Sequence, residues 1–164
     1  MHKLAEWGFG PDWWRNSRGE YWVIGQGVVS LGYLLLPVVP VEPFPLALRW
    51  AGATLFGLIA LGLGGAGLLH LGENLTPLPH PKDTGQLVTT GVYGWVRHPI
   101  YSSVIFLALA YACWRGSWTH FLGTAGLLLF FDRKAAQEER WLQEKFPTYQ
   151  TYRQRVKKLI PGVY

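Results

Sequence analysis

Residues 46–71 read LALRWAGATLFGLIALGLGGAGLLHL. Arg49 near the start and His70 near the end are the only strongly polar side chains in this run. A helix that crosses a bilayer needs about 20 mostly apolar residues. A surface helix of a soluble domain would show a charged face, and this stretch has none after Arg49. It reads as a membrane span. Before it, Pro37, Pro40, Pro43 and Pro45 break the chain, and Tyr21 to Val39 forms another apolar run interrupted by Gln26 and Ser30. After it, a third span begins at Pro99 and runs to about Trp114. Arg115, Gly116 and Ser117 make a turn, and a fourth span runs from Trp118 to Phe131. The last two are short and read as a helical hairpin that tilts or thins the bilayer locally. The expected fold is all-α: an integral membrane bundle of about four transmembrane helices, with a cytosolic C-terminal helical segment.

Composition agrees. Of 164 residues, 49% are hydrophobic and only 15% charged, against about 25% charged in a typical soluble domain. Disorder is excluded by this apolar content, and a disulfide scaffold by the lone Cys113. Nine Trp and 20 Gly fit a small membrane protein. The residues before the first run are Trp-rich and of mixed charge, unlike the short basic start of a signal peptide. Gly62, Gly64, Gly65 and Gly67 suit close helix packing or close approach of a ligand. No strand precedes them, so a dinucleotide fingerprint is not expected.

The formal charge is +5, and residues 132–164 hold eight basic and four acidic side chains. The turn between the third and fourth spans holds only Arg115. By the positive-inside tendency the C-terminus faces the cytoplasm. Four spans then bring the N-terminus and the loop from Gly72 to His98 to the same side. Trp7, Trp13, Trp14 and Trp22 read as an interfacial belt, and the basic tail suits anionic headgroups. Because its basic residues are interleaved with acids, nucleic acid is not an expected partner; membrane lipids are. The sequence implies no oligomeric state and no metal site.

Two cytoplasmic stretches carry the candidate chemistry. In residues 85–101, Pro99 suits the first position of a helix, whose free N–H groups can bind an anion. Arg97 and His98 stand just before it as a candidate carboxylate or phosphate clamp. From Asp132 on, Ala135, Leu142 and Phe146 form an apolar stripe with Glu138 and Glu139 on or beside it. A carboxylate turned toward an apolar face needs a cationic partner or takes up a proton. Pro147 ends that helix; Tyr149, Tyr152 and Arg153 follow, and Leu159 to Gly162 reads as a docked end. Taken singly, Arg97 could snorkel to headgroups, and the glutamates could pair with Lys134 or Lys145 by helical spacing. What sets these residues apart is that both stretches flank one hairpin on one side of the membrane.

The run Gln86-Leu87-Val88-Thr89-Thr90-Gly91-Val92-Tyr93, then Arg97-His98-Pro99-Ile100-Tyr101, then Glu138-Glu139, Leu142, Phe146, Tyr149 and Tyr152 resembles the isoprenylcysteine carboxyl methyltransferase family. Phospholipid N-methyltransferases share the broader pattern. The resemblance covers roughly residues 70–164. It implies a single domain over 1–164, with a two-helix membrane part (1–72) and a cofactor-binding catalytic part (73–164). It implies an S-adenosylmethionine-dependent methyltransferase acting on a lipophilic small molecule, a prenyl or other lipid carrying a carboxylate or an amine. Carried over by position, Leu87, Val88 and Tyr93 belong to the cofactor's adenosine side, and Gln86 is a further cofactor-binding residue. His98, Pro99 and Tyr101 belong to its amino-acid end, and Glu138 to its ammonium. Arg97, Glu139 and Lys134 are the implied catalytic residues. Lys134 stands where the family often has a substrate-associated Arg, keeping the charge without the fork, and Gly85-Gln86 replaces the family's His before Leu-Val. Methyl transfer is an in-line displacement, so the protein mainly positions reactants and excludes water. An amine acceptor needs a base, for which Glu139 and His98 are candidates. Two rival readings are an NADPH-dependent membrane reductase of the sterol-reductase type, which usually has Asn where Ile100 stands, and a non-catalytic membrane subunit.

Overall fold

The computed structural model describes residues 13–164, so Trp7 and the N-terminal end lie outside the described residues. The described residues are all-α. Among them the five α-helices are α1 (Glu20–Leu34), α2 (Leu46–Leu71), α3 (Pro99–Arg115), α4 (Trp118–Lys145) and α5 (Tyr149–Arg155). Short 3-10 turns lie at Trp13–Arg15, Gly72–Asn74 and Gly91–Gly94. Among the described residues the only β pairing is two isolated bridges, Pro40 with Ser117 and Val96 with Lys157.

Two boundaries differ from the sequence expectation. The first helix stops at Leu34 rather than continuing to Val39. Pro37 excludes its predecessor from helical geometry, and the extended chain beyond it pairs instead with the hairpin turn. There Trp118 N–H donates to Val39 O at 2.9 Å, and Val41 N–H to Gly116 O at 2.8 Å. The fourth span and the glutamate-bearing segment are one uninterrupted helix, α4. No Gly or Pro stands between Phe131 and Lys145, so nothing ends the helix before Pro147. The α3–α4 turn is as expected: Gly116, at φ +55°, closes α3 in the left-handed conformation.

Among the described residues only Leu46–Asn74 is long and apolar enough to cross a membrane by itself, and just 11% of its most apolar stretch is buried. Most of its leucines are exposed, Leu69 by 82% and Leu61 by 72%. Exposed apolar side chains continue on α1 (Val28, Leu31), α3 (Leu107) and α4 (Leu122, Leu129). The interior is small by comparison, built on Tyr33, Ile105, Ala108, Leu127, Phe131 and Leu159. Trp13 and Trp14 are exposed as a belt requires, whereas Trp22 packs edge-on against Phe130 of α4.

The glycines of α2 divide into two sets. A Cβ on Gly67 would lie 3.0 Å from Ile100 and 3.2 Å from Pro99, and one on Gly64 would lie 3.0 Å from Ser103, whereas Gly62 and Gly65 face open space. Gly64 and Gly67 therefore let α3 approach closely. Gly67→Val is expected to cost about 1–3 kcal/mol by overpacking. Gly62→Val, with the same change in helix propensity, should stay within about 0.5 kcal/mol; thermal unfolding of the two variants in detergent checks this.

The tail after α5 folds back over the start of α3. Arg97 N–H donates to Lys157 O at 2.8 Å, and the Ser102 hydroxyl to Leu159 O at 2.5 Å. Leu159 is fully buried. This return brings α5 and the end of α4 against the segment before Pro99.

Candidate active site

That juxtaposition encloses a cavity of about 410 Å³, within the range of small-molecule and cofactor sites. His98, Pro99 and Tyr101 form its base, with Lys134 and Glu138, one helical turn apart on α4, as one wall. Leu87 and Val88 of the preceding loop line another wall, Tyr149 and Tyr152 of α5 a third, and Val23 and Gln26 enter from α1.

Local sequence explains why the loop holds its shape. Asn74 Oδ1 accepts from Gln86 N–H at 2.8 Å. Lys145 Nζ, at the end of α4, donates to Lys82 O and to Asp83 O at 2.9 Å. Gly91, at φ +61°, has no room for a side chain, because a Cβ there would lie 2.2 Å from His70. The 3-10 turn it opens buries Tyr93, whose hydroxyl donates to Gly67 O at 3.3 Å. Tyr152 then donates to Tyr93 O at 2.6 Å and fastens α5 over the turn.

The two glutamates have different environments. Glu139 is 2% exposed. Its Oε1 accepts from Arg97 Nε at 2.8 Å and lies 3.1 Å from His98 Nε2, while Arg153 Nε is 3.5 Å from Oε2. Burial pushes its pKa up, but hydrogen bonds and charge from His98 and Arg97 outweigh that and hold it down at about 2. A carboxylate held so low is a weak proton acceptor near neutral pH. Glu138 has a side chain 25% exposed that lines the cavity. Its Oε2 accepts from the Tyr101 hydroxyl at 2.6 Å and lies 3.8 Å from His98 Nδ1. His98 thus stands between the two carboxylates, stacked on Tyr101 with ring planes 2° apart.

Lys134 is 2% exposed. It donates to Gln26 Oε1 at 2.6 Å and sits 4.9 Å from the centre of the Tyr101 ring. Burial pushes its pKa down to about 8, with the Glu138 charge opposing. The hydroxyls of Tyr93, Tyr149 and Tyr152 are pushed well up, chiefly by burial, and stay protonated.

Every candidate residue named from the sequence lines this cavity except Glu139, which lies behind Arg97 and His98. Arg97 does not snorkel: its side chain is 8% exposed, and besides Glu139 it donates to Arg153 O at 3.1 Å and to Val156 O. Those bonds turn the guanidinium toward Glu139 and the returning tail, while the residue still lines the cavity. Sequence reasoning did not assign Val23, Gln26, Leu142, Phe146, Tyr149 or Tyr152 to the pocket wall. Gln26 did carry a signal, as a lone amide in an apolar run.

A family model described as phospholipid methyltransferase matches residues 48–149. The chain belongs to that family. Among curated proteins none matches it by sequence. The phospholipid methyltransferase match runs from α2 to the first residue of α5 and contains all the candidate residues, from Gln86 to Glu139. It leaves out α1, Tyr152 and the returning tail. Membership in the phospholipid methyltransferase family carries methyl transfer to a lipid-like acceptor and association with membranes as family properties.

Proposed function

We propose that this protein transfers a methyl group from S-adenosylmethionine to a lipophilic acceptor, a carboxylate or an amine, at the cytoplasmic face of a membrane. One observation carries the reading. Two polar stretches separated by a hydrophobic hairpin, 85–101 and 132–152, close one cavity beside helices whose outer faces are apolar. A water-soluble donor and a lipid must meet at such an edge. In this reading α1 to α4 all span the bilayer, with both termini and the 72–98 loop on the cytoplasmic side. Exposed Trp95 near one end of α3, and exposed Trp114 and Trp118 at the other, suit two interfaces. The helix between them is about 26 Å long at 1.5 Å per residue.

The chain's own groups fit the donor. When bound, S-adenosylmethionine supplies an electrophilic methyl on a sulfonium, together with an ammonium and a carboxylate. Glu138, facing the cavity, would hold the ammonium. Leu87, Val88 and Tyr93 would enclose the adenosine side with Gln86, and His98, Pro99 and Tyr101 the amino-acid end. The Tyr149 hydroxyl is buried in the cavity wall with no hydrogen-bond partner among the described residues, a group that a bound ligand satisfies. The Arg97–Glu139–His98 network keeps the base of the cavity in place. Lys134 stands ready beside the acceptor, as an ammonium for a carboxylate or, once deprotonated, as a proton acceptor for an amine.

Titration calorimetry of the detergent-purified protein with S-adenosylhomocysteine tests the reading. Saturable binding at one site per chain is expected. A folded sample that takes up no heat and competes for no labelled S-adenosylmethionine overturns it. Incubation with labelled donor and a total membrane extract then identifies the acceptor.

A further inference from the structure

We infer that Gln26 of α1 is a positioning residue of the active site: its amide oxygen holds the Lys134 side chain at the cavity wall and makes the first helix part of the catalytic unit. The inference rests on the cavity being the methyl-transfer site. It adds a residue that neither the family match, which begins at residue 48, nor the candidate motifs include.

Gln26 and Lys134 both line the cavity, and the 2.6 Å bond between them is the only hydrogen bond of the lysine to a side chain among the described residues. The groups facing Lys134 are few. Glu138 follows one turn later on α4, outside ion-pair distance; the Tyr101 ring of α3 lies beneath the ammonium; Gln26 arrives from α1. A buried cation is costly unless it is paired and hydrogen-bonded. Here the nearest partner is a neutral amide, which stabilises the ammonium but less than a carboxylate would. Burial lowers the pKa of this lysine to about 8, with the Glu138 charge opposing, and the neutral amide adds no charge that would restore it. A carboxylate at position 26 would lock the lysine in its charged form. An aliphatic residue there would leave it without its acceptor. The amide keeps the lysine ordered and exchangeable, and it enters from outside the matched region.

The experiment reads the lysine directly. Lys134 of the full chain in detergent is acylated with acetic anhydride across a pH series, and modification at that residue is quantified by mass spectrometry. Only the neutral amine reacts, so the midpoint reports its protonation. The parent protein is expected to show a midpoint near pH 8. Gln26→Glu should raise it by about one pH unit or more, because an opposite charge at hydrogen-bond distance favours the ammonium. Gln26→Leu should lower it. In a methyl-transfer assay at saturating donor, the pH profile of kcat should move in the same directions in each variant. If α1 serves packing alone, the variants differ in stability or yield while all midpoints coincide, and that result overturns the inference. So does a parent protein whose Lys134 resists the reagent at every pH, since its amine would then not face the cavity. Gln26→Glu serves where Gln26→Leu does not fold. Failure of S-adenosylhomocysteine to bind counts against the methyl-transfer reading alone, because the labelling midpoints are read without any donor.

Discussion

Arg97→Leu is expected to lower the unfolding free energy by on the order of 3–5 kcal/mol, the cost of breaking a buried ion pair from one side. The substitution leaves Glu139, 2% exposed, with His98 and the more distant Arg153 as its remaining partners. It also deprives the Arg153 and Val156 carbonyls of their donor and so loosens the return of the tail onto α3. The double variant Arg97→Leu/Glu139→Leu removes both charges and should recover much of the loss, because two apolar side chains replace an ion pair at little net cost. Denaturant unfolding of the two single variants and the double variant gives the coupling directly. A double variant less stable than the sum of the singles would defeat the argument. The same network sets an acid limit. With the Glu139 pKa held at about 2, below the ordinary 4.5, its contribution is fully present above about pH 4.5 and is lost as pH falls toward 2. Glu139→Gln should therefore flatten the acid limb of the stability profile while lowering stability at neutral pH.

The sequence made α2 and the α3–α4 hairpin legible because their signals are local. A long apolar run, a Pro at a helix start and a Gly at a helix end each act within a few residues. The candidate site was legible for another reason. Polar and ionisable side chains at the edge of apolar helices are costly and need partners, so Arg97, His98, Glu138 and Glu139 stood out before any geometry was known. What could not be read was the partnership. The two adjacent glutamates look equivalent in sequence, yet α4 turns Glu139 under Arg97 and Glu138 toward the cavity, a difference of about 100° around one helix. The continuity of α4 was missed because hydropathy falls sharply after Phe131 while helix propensity does not. The contribution of α1 was missed because it depends on packing across 108 residues of chain, which no periodicity records. Tyr149 and Tyr152 reach the site because the tail doubles back, and the carbonyls that Arg97, Ser102 and the 97–98 backbone meet there belong to residues whose side chains do not reveal the pairing.

Glu138→Gln is expected to weaken S-adenosylhomocysteine binding on the order of 10–100-fold, the value of one hydrogen bond to a charged group, roughly 1.5–3 kcal/mol. The change keeps the shape of the side chain and an oxygen for the Tyr101 hydroxyl, now 2.6 Å from Oε2, and removes only the charge. Since the side chain is 25% exposed and has no basic side chain closer than His98 at 3.8 Å, unfolding should shift by no more than about 0.5 kcal/mol. Glu139→Gln should show the opposite pattern, with stability falling first and ligand affinity following only as the base of the cavity loosens. Calorimetry and thermal unfolding on the same preparations separate the two effects. Equal loss of affinity in both variants at equal stability would mean that the charge facing the cavity is not what the donor's ammonium meets. Tyr101→Phe adds a graded case. It frees Glu138 Oε2 from the hydroxyl that fixes its position while leaving its charge, and so should cost less affinity than Glu138→Gln. The order Glu138→Gln, Tyr101→Phe, parent in rising affinity follows if electrostatic pairing dominates and positioning by the tyrosine is secondary.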